Sequence, residues 1–377
     1  MDTKSTHILL FSTAYLPYIG GAELALKEVT KRMSGFEFDL ITSRLSDSLP
    51  AYEKIGNVNV FRVGGAGDLF LPKLFFPLFA FLKAQQLNNK TKYDIIFGLQ
   101  ASQGSGAAWL FKIFHKKASF ILNIQEGKDL KGQGLIINFF RNLILKKADI
   151  ITVISNYLAG YASNINKKAK IYVIPNGADT KRFLNRNLPA MSHEKQIITI
   201  SRLVPKNGVE DLIDAFKILD SKGQAANVRL LIVGWGPLEQ SLKSKVKKLN
   251  LEDKVEMLGE VLPDDLPNYL AKADIFVRPS LSEGLGIAFL EAMAAGIPII
   301  GTAVGGIPDF LIDGETGLFC KVNDPEDLAD KINMILNNEM LKQRLIENAK
   351  KLVEERYSWD KIAKEYEKIF NSLNIQS

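Results

Sequence analysis

Two glutamates, an arginine and a lysine have the types and spacing that could do chemistry in this chain. Glu283 and Glu291 stand eight residues apart in E-G-L-G-I-A-F-L-E. Arg202 and Lys206 share one short stretch, S-R-L-V-P-K-N-G. A carboxylate can accept hydrogen bonds from two neighbouring hydroxyls, which suits a sugar or a ribose. Arginine forks across two phosphate oxygens, and lysine adds a point charge. With a helical rise between them, the two acids lie roughly 10 Å apart. One acid can then hold a sugar and the other a ribose, with a diphosphate between them. Positive charge fixed beside that diphosphate stabilises it most as it leaves.

The surrounding residues supply the elements that must position these groups. A-D-I-F-V-R-P-S, residues 273–280, is an apolar run that fits a buried strand. S-E-G-L-G reads as a tight turn in which Gly284 and Gly286 are free to take unusual backbone angles. I-A-F-L-E-A-M-A-A has the length of a short helix, stopped by Gly296 and Pro298. I-P-I-I-G-T is the next strand. Strand, glycine turn, helix and strand make the unit of a parallel sheet. The turn delivers a helix start to the sheet edge, where the N–H groups of Gly286 and Ile287 make an anion site. Arg202 and Lys206 lie where the strand Q-I-I-T-I-S-R-L ends, on one loop at the same edge.

Elsewhere β–α alternation repeats. F-E-F-D-L-I-T-S, V-N-V-F-R-V, Y-D-I-I-F-G-L-Q, A-S-F-I-L-N-I-Q-E and D-I-I-T-V-I-S read as strands, with helical patterns between them. Gly20-Gly21 lies between the first strand and first helix, where backbone can approach a phosphate. The GxGxxG spacing of a dinucleotide fingerprint is absent. Residues 185–195, N-R-N-L-P-A-M-S-H-E-K, are polar and aperiodic and read as a linker.

At 377 residues the chain suits two domains. Cys320 is the single cysteine, which excludes an internal disulfide and fits a reducing, cytoplasmic setting. No signal-peptide pattern opens the sequence, and its most apolar segment, residues 69–82, is interrupted by Pro72, Lys73 and Pro77. The net charge of +6 is uneven: residues 1–190 hold 25 Lys and Arg against 13 Asp and Glu. A basic first half implies an anionic partner, whether nucleic acid, a membrane surface or a phosphorylated acceptor. Phe70, Leu71, Leu74, Phe75, Phe76, Leu78, Phe79, Phe81 and Leu82, with Lys73 and Lys83 among them and further lysines downstream, fit docking at an anionic bilayer.

The stretch E-G-L-G-I-A-F-L-E-A-M-A-A-G-I-P resembles the EX7E signature of retaining GT-B glycosyltransferases of family 4. Pro17 to Glu23 resembles that family's P-x-x-G-G-x-E, P-N-G-A-D its N-G-x-D turn, and G-W-G-P its G-x-G-P turn. Arg202 and Lys206 match its R-L-x-x-x-K-G loop, with one departure: Asn207 stands where lysine is common. Val261 matches a position whose backbone meets the nucleotide base, though it also reads as a buried strand residue. Many relatives carry a histidine near the reacting sugar; here Gln125 and Glu126 align with it. His7, His115 and His193 do not fit that place, so a histidine general base is not expected. Gln125 is a candidate hydrogen-bond partner for the donor sugar, and Glu126 for the acceptor hydroxyl.

The resemblance implies an α/β, GT-B architecture of two doubly wound Rossmann-like domains facing across a cleft. Residues 1–190 would bind the acceptor, 191–356 the nucleotide sugar, and the 357–377 helix would cross back to the first domain. It implies a retaining transferase that moves a sugar from a UDP-, GDP- or ADP-linked donor to a glycan or lipid-linked acceptor. Arg202, Lys206 and Glu283 would be catalytic. Gly20, Gly21, Val261, Gly286, Ile287 and Glu291 would complete the donor site. No cofactor is expected beyond the nucleotide-sugar co-substrate. There is no Asp-x-Asp and no metal-ligand spacing, so metal independence is expected. A nucleic-acid partner is not expected, and a peripheral place at the inner membrane face is. An epimerase-like enzyme of the same fold and a silent nucleotide-sugar-binding subunit are the alternatives.

Overall fold

The computed structural model describes residues 6–18, 20–65, 70–127, 134–184 and 194–374. The chain divides into two compact units, Met1–Asn176 with Trp359–Ser377, and Gly177–Ser358. The first boundary falls ahead of residue 190 because residues just after Asn176 are tied to the second unit. Ala178 donates a backbone hydrogen bond to Tyr357 O at 2.7 Å. The expected linker is largely outside the described residues.

The first unit is built from β1 (Thr6–Phe11), α1 (Gly21–Lys31), β2 (Phe36–Ser43), β3 (Tyr52–Ile55), β4 (Val58–Val63), α2 (Phe70–Asn88) and β5 (Ile95–Leu99). It continues with α3 (Gln103–Phe114), β6 (Ser119–Ile124), α4 (Leu135–Lys147), β7 (Ile150–Val153), α5 (Asn156–Ile165) and β8 (Lys170–Val173). The sheet order is β3-β4-β2-β1-β5-β6-β7-β8. All neighbouring pairs are parallel except β3 with β4. Central strands are continuous apolar runs because helices cover both faces. Of the apolar residues read as a docking segment from the sequence, Phe76 is core; the side chains of Phe70, Leu71 and Leu74 are outside the described residues. No described helix is long and apolar enough to cross a membrane.

The second unit contains α6 (Thr180–Leu184), β9 (Lys195–Ile200), α7 (Val209–Ser221), β10 (Val228–Val233), α8 (Glu239–Lys248), β11 (Val255–Gly259) and α9 (Leu266–Leu270). Then come β12 (Ile275–Arg278), α10 (Ile287–Ala294), β13 (Ile299–Thr302), β14 (Leu318–Cys320), α11 (Pro325–Leu336) and α12 (Glu339–Arg356). Its sheet, β11-β10-β9-β12-β13-β14, is wholly parallel. Strand order reverses beside β9, with β10 on one side and β12 on the other. Such a switch point opens a crevice at the carboxyl ends of the strands.

The last helix, α13 (Trp359–Asn374), belongs to the first unit. Trp359, Ile362, Ala363, Tyr366 and Phe370 recur at helical spacing and are buried with Ala25, Leu26 and Phe97. Phe370 meets Phe36 edge-on at 5.7 Å, and Tyr366 meets Phe97 at 6.0 Å. Burying each large apolar side chain stabilises by about 1.5–3 kcal/mol, enough to hold an amphipathic helix against the sheet.

Candidate active site

The expected strand, turn and helix around Glu283 are present as β12, residues 279–286 and α10. Only one of the two glycines there needs its freedom. Gly286 caps α10 at φ +96°, a region that L side chains rarely adopt. Gly284 shows no positive φ. Because Gly286 is the cap, the N–H groups at the start of α10 open at the carboxyl end of β12.

The cationic loop meets this turn directly. Leu281 donates its N–H to Lys206 O at 2.7 Å. Gly208, at φ +66°, lies so close that an added Cβ would stand 2.0 Å from Pro279 O. The loop after β9 and the turn after β12 therefore share the edge of the switch point. Arg202 is exposed, and no partner among the described residues holds its guanidinium. Lys206 is half-buried on the same loop. Asn207, where the family pattern has lysine, turns inward instead. Its Nδ2 donates to Arg202 O at 2.6 Å and closes the loop.

Glu283 is engaged in a way the sequence reading missed. Its carboxylate forms an ion pair with Arg278, and Oε1 accepts the Gly284 N–H at 3.0 Å. The Arg278 side chain is 8% exposed and that of Glu283 12%. Arg278 also reaches Ser280 Oγ at 3.2 Å and covers the Phe289 ring at 5.1 Å. Burial pulls the guanidinium down to about 10. Phe289 in turn packs between Phe276 and Phe310 at 5.0 and 5.4 Å. The arginine thus joins the acid to the core of the sheet and fixes its direction, leaving Glu283 room to accept further donors.

Glu291 is half-buried one turn into α10. Burial pushes its carboxyl up to about 7, opposed by the charge of Arg182. Arg182 comes from α6 and also donates to Pro263 O and to Asp264 at 3.0 Å. A raised acid favours the folded state below its unfolded value and loses that contribution as pH rises through about 7. A ligand that donates hydroxyls to the carboxylate has the opposite sign, because it favours the charged form. Affinity for any such hydroxyl-donating ligand is therefore expected to rise about tenfold between about pH 6 and about pH 8, and Glu291→Gln should flatten that slope. Calorimetric titration across this range checks it; an unchanged slope in the variant contradicts it.

Val261 lies just beyond β11, half-buried in a loop rather than within the strand. Trp235 was not singled out by the sequence reading. It is 53% exposed after β10, and its carbonyl accepts the Leu203 N–H at 2.9 Å. A large ring between two glycines at a strand end is a signal that could have found it, since it has a flat face and little core to fill.

In the first unit, Gly20 caps α1, with Glu23 accepting its N–H at 2.9 Å, and Gly21 opens the helix. Both glycines stand at the carboxyl end of β1. Gln125 and Glu126 follow β6, as expected, but both are tied inward. Asn176 donates to Gln125 Oε1 at 2.9 Å, and Gln125 donates to Asn123 Oδ1 at 2.8 Å. Asn123 is fully buried and donates to Thr152 and to the Tyr366 hydroxyl of α13. Glu126 pairs with the buried Arg141 of α4 at 3.3 Å. Both side chains are thus held by neighbours within the first unit. His7 lies near the amino end of β1 and His115 follows α3; His193 is outside the described residues. Among the described residues no group of His, Cys, Asp and Glu could hold a metal ion.

The chain is similar to known proteins along almost its whole length. Residues 180–352 match the family model for glycosyl transferases group 1, and residues 19–182 match that for glycosyltransferase family 4. Sucrose-phosphate synthase from Thermosynechococcus elongatus superposes with a TM-score of 0.86 at 23% identity, covering 99% of this chain and all of that one. Its fold is GT-B, with two Rossmann-like domains, and the present chain has that fold. The chain belongs to the family 4, group 1 glycosyltransferases and is a glycosyltransferase. N-acetyl-alpha-D-glucosaminyl L-malate synthase of Bacillus anthracis is 29% identical over 94% of each chain. A GDP-mannose-dependent phosphatidylinositol monomannoside mannosyltransferase of Mycobacterium tuberculosis is 31% identical over 57% of this chain and 60% of its own.

Proposed function

We propose that the protein transfers a sugar, with retention, from a nucleotide-diphosphate donor to a hydroxyl of a glycan or lipid-linked acceptor. The donor binds on the second unit and the acceptor on the first. The observation that carries this reading is the Leu281–Lys206 hydrogen bond, which joins the cationic loop to the acidic turn at the switch point. In this reading the diphosphate lies across Arg202, Lys206 and the start of α10, Glu283 holds the sugar, and Glu291 holds the ribose.

Transfer proceeds on one face of the sugar. The acceptor oxygen attacks the anomeric carbon as its bond to the diphosphate oxygen breaks. The acceptor's proton passes to that departing oxygen, so no side-chain base is needed. Arg202 and Lys206 offset the charge that grows on the diphosphate, and fixed proximity supplies much of the rest. The chain's own cations take the part a divalent metal would otherwise play. The mannosyltransferase relative, whose name specifies a phosphatidylinositol mannoside, supports a lipid-linked acceptor.

A screen of UDP-, GDP- and ADP-linked sugars by thermal shift selects the donor, since a ligand of the folded state raises its melting temperature. Transfer from that donor should then persist in a chelator and give a product of unchanged anomeric configuration. Inversion, or loss of turnover on chelation, would contradict the reading.

A further inference from the structure

The side chain of Trp235 has no structural partner among the described residues. It follows β10 and is 53% exposed. No described aromatic ring stacks on it, and no described residue takes a hydrogen bond from its indole N–H. A ring of this size normally contributes by being buried, and its N–H normally finds an acceptor when it is. The other two tryptophans, Trp109 and Trp359, belong to the first unit, where Trp359 sits in the core.

The backbone around Trp235 fixes where it stands. Gly234 donates its N–H to Gly259 O at 2.7 Å, which ties the turn to the end of β11. On the other side Trp235 O accepts the Leu203 N–H, and Leu203 O accepts the Leu238 N–H at 3.1 Å. A Cβ added at Gly234 would run into Ser201 O, and one at Gly236 into Leu203 O. Both glycines are required because the turn lies against the loop that carries Arg202. Trp235 therefore stands between that cationic loop and the segment after β11, at the carboxyl edge of the sheet and one strand from the switch point. Glu291 borders the same segment from the other direction. Arg182, whose charge acts on Glu291, donates to Pro263 O and to Asp264.

We infer that the open indole of Trp235 is the stacking platform for the base of the nucleotide. The inference rests on the proposed donor site, with the diphosphate on Arg202 and Lys206 and the ribose at Glu291, and deepens it by naming the group that takes the base. A base attached to that ribose is carried over residues 259–264, the segment that Glu291 and the Trp235 turn both border. Stacking needs only a flat face, which every base presents, so the indole adds affinity whichever base the donor carries. The hydrogen bonds that would tell one base from another are left to other groups.

The test is titration of the full chain with UDP, GDP and ADP, read by calorimetry and by tryptophan emission. The nucleoside diphosphate that binds should quench the emission, because Trp235 is the second unit's one tryptophan. Trp235→Ala should weaken that binding about tenfold. Its melting temperature should match the parent's, because the side chain is exposed. Trp235→Phe keeps a flat face and should bind within about threefold of the parent while losing the quench. Unchanged parent emission at saturation overturns the inference, as does an alanine variant that binds like the parent or a phenylalanine variant as weak as the alanine one. Each of these results leaves the proposed donor site standing. A parent that binds none of the three nucleotides would overturn the proposed function, and this inference with it.

Discussion

Arg202→Ala is expected to lower the transfer rate by about 10²–10³-fold with little change in melting temperature. The magnitude is that of removing one preorganised charge or donor from a transition state in which negative charge develops. The loss should appear in kcat as well as in kcat/KM, because the diphosphate carries more charge while leaving than in the bound donor. Stability should be spared because the side chain is exposed and no described residue pairs with it. Exposed substitutions of this kind usually shift stability by less than about 0.5 kcal/mol. Turnover of the selected donor and a thermal melt, measured on the same preparation, check the two halves together. A parent-like rate would remove Arg202 from the chemistry.

Arg278→Leu is expected to destabilise the second unit by about 3–5 kcal/mol, because it leaves the buried Glu283 carboxylate without its partner. For a unit of this size that corresponds to a fall of roughly 10 °C in its melting temperature. Replacing both residues, Arg278→Leu with Glu283→Leu, should recover much of the loss, since two apolar groups need no pairing. Differential scanning calorimetry of the parent, both single variants and the double variant gives the coupling directly. Additive single effects would show that the two side chains act independently.

This pair also changes how a Glu283 variant must be read. Glu283→Ala strands a buried guanidinium, so lost activity would mix chemistry with misfolding. Glu283→Gln keeps a hydrogen-bond acceptor for Arg278 and is the cleaner probe.

The elements around the second unit's candidate site were legible in the sequence because they are local. A strand, a glycine turn and a short helix occur within residues 273–302, and each announces itself by apolar runs and stop signals. The long-range pairings were not legible. Arg278 reads as one polar residue in an apolar strand, and only packing on Phe289 shows it facing inward. Gln125 and Glu126 looked available because Asn176 and Arg141, which hold them, are distant in sequence. Strand β3 was missed because Y-E-K-I lacks apolar character; it is an edge strand pairing antiparallel with β4 alone. The exposure of Leu135 and Ile136 at the start of α4 was equally hidden, since L-I-I-N-F-F has the composition of a core segment. Exposure is a property of neighbours, and the residue string does not name them.

The most direct test of the account is a crystal structure of the protein with the nucleoside diphosphate of its donor. The diphosphate should lie within hydrogen-bonding distance of Arg202, Lys206 and the first N–H groups of α10, with Glu291 facing the ribose. A diphosphate bound away from the loop after β9 and the turn after β12 would contradict it.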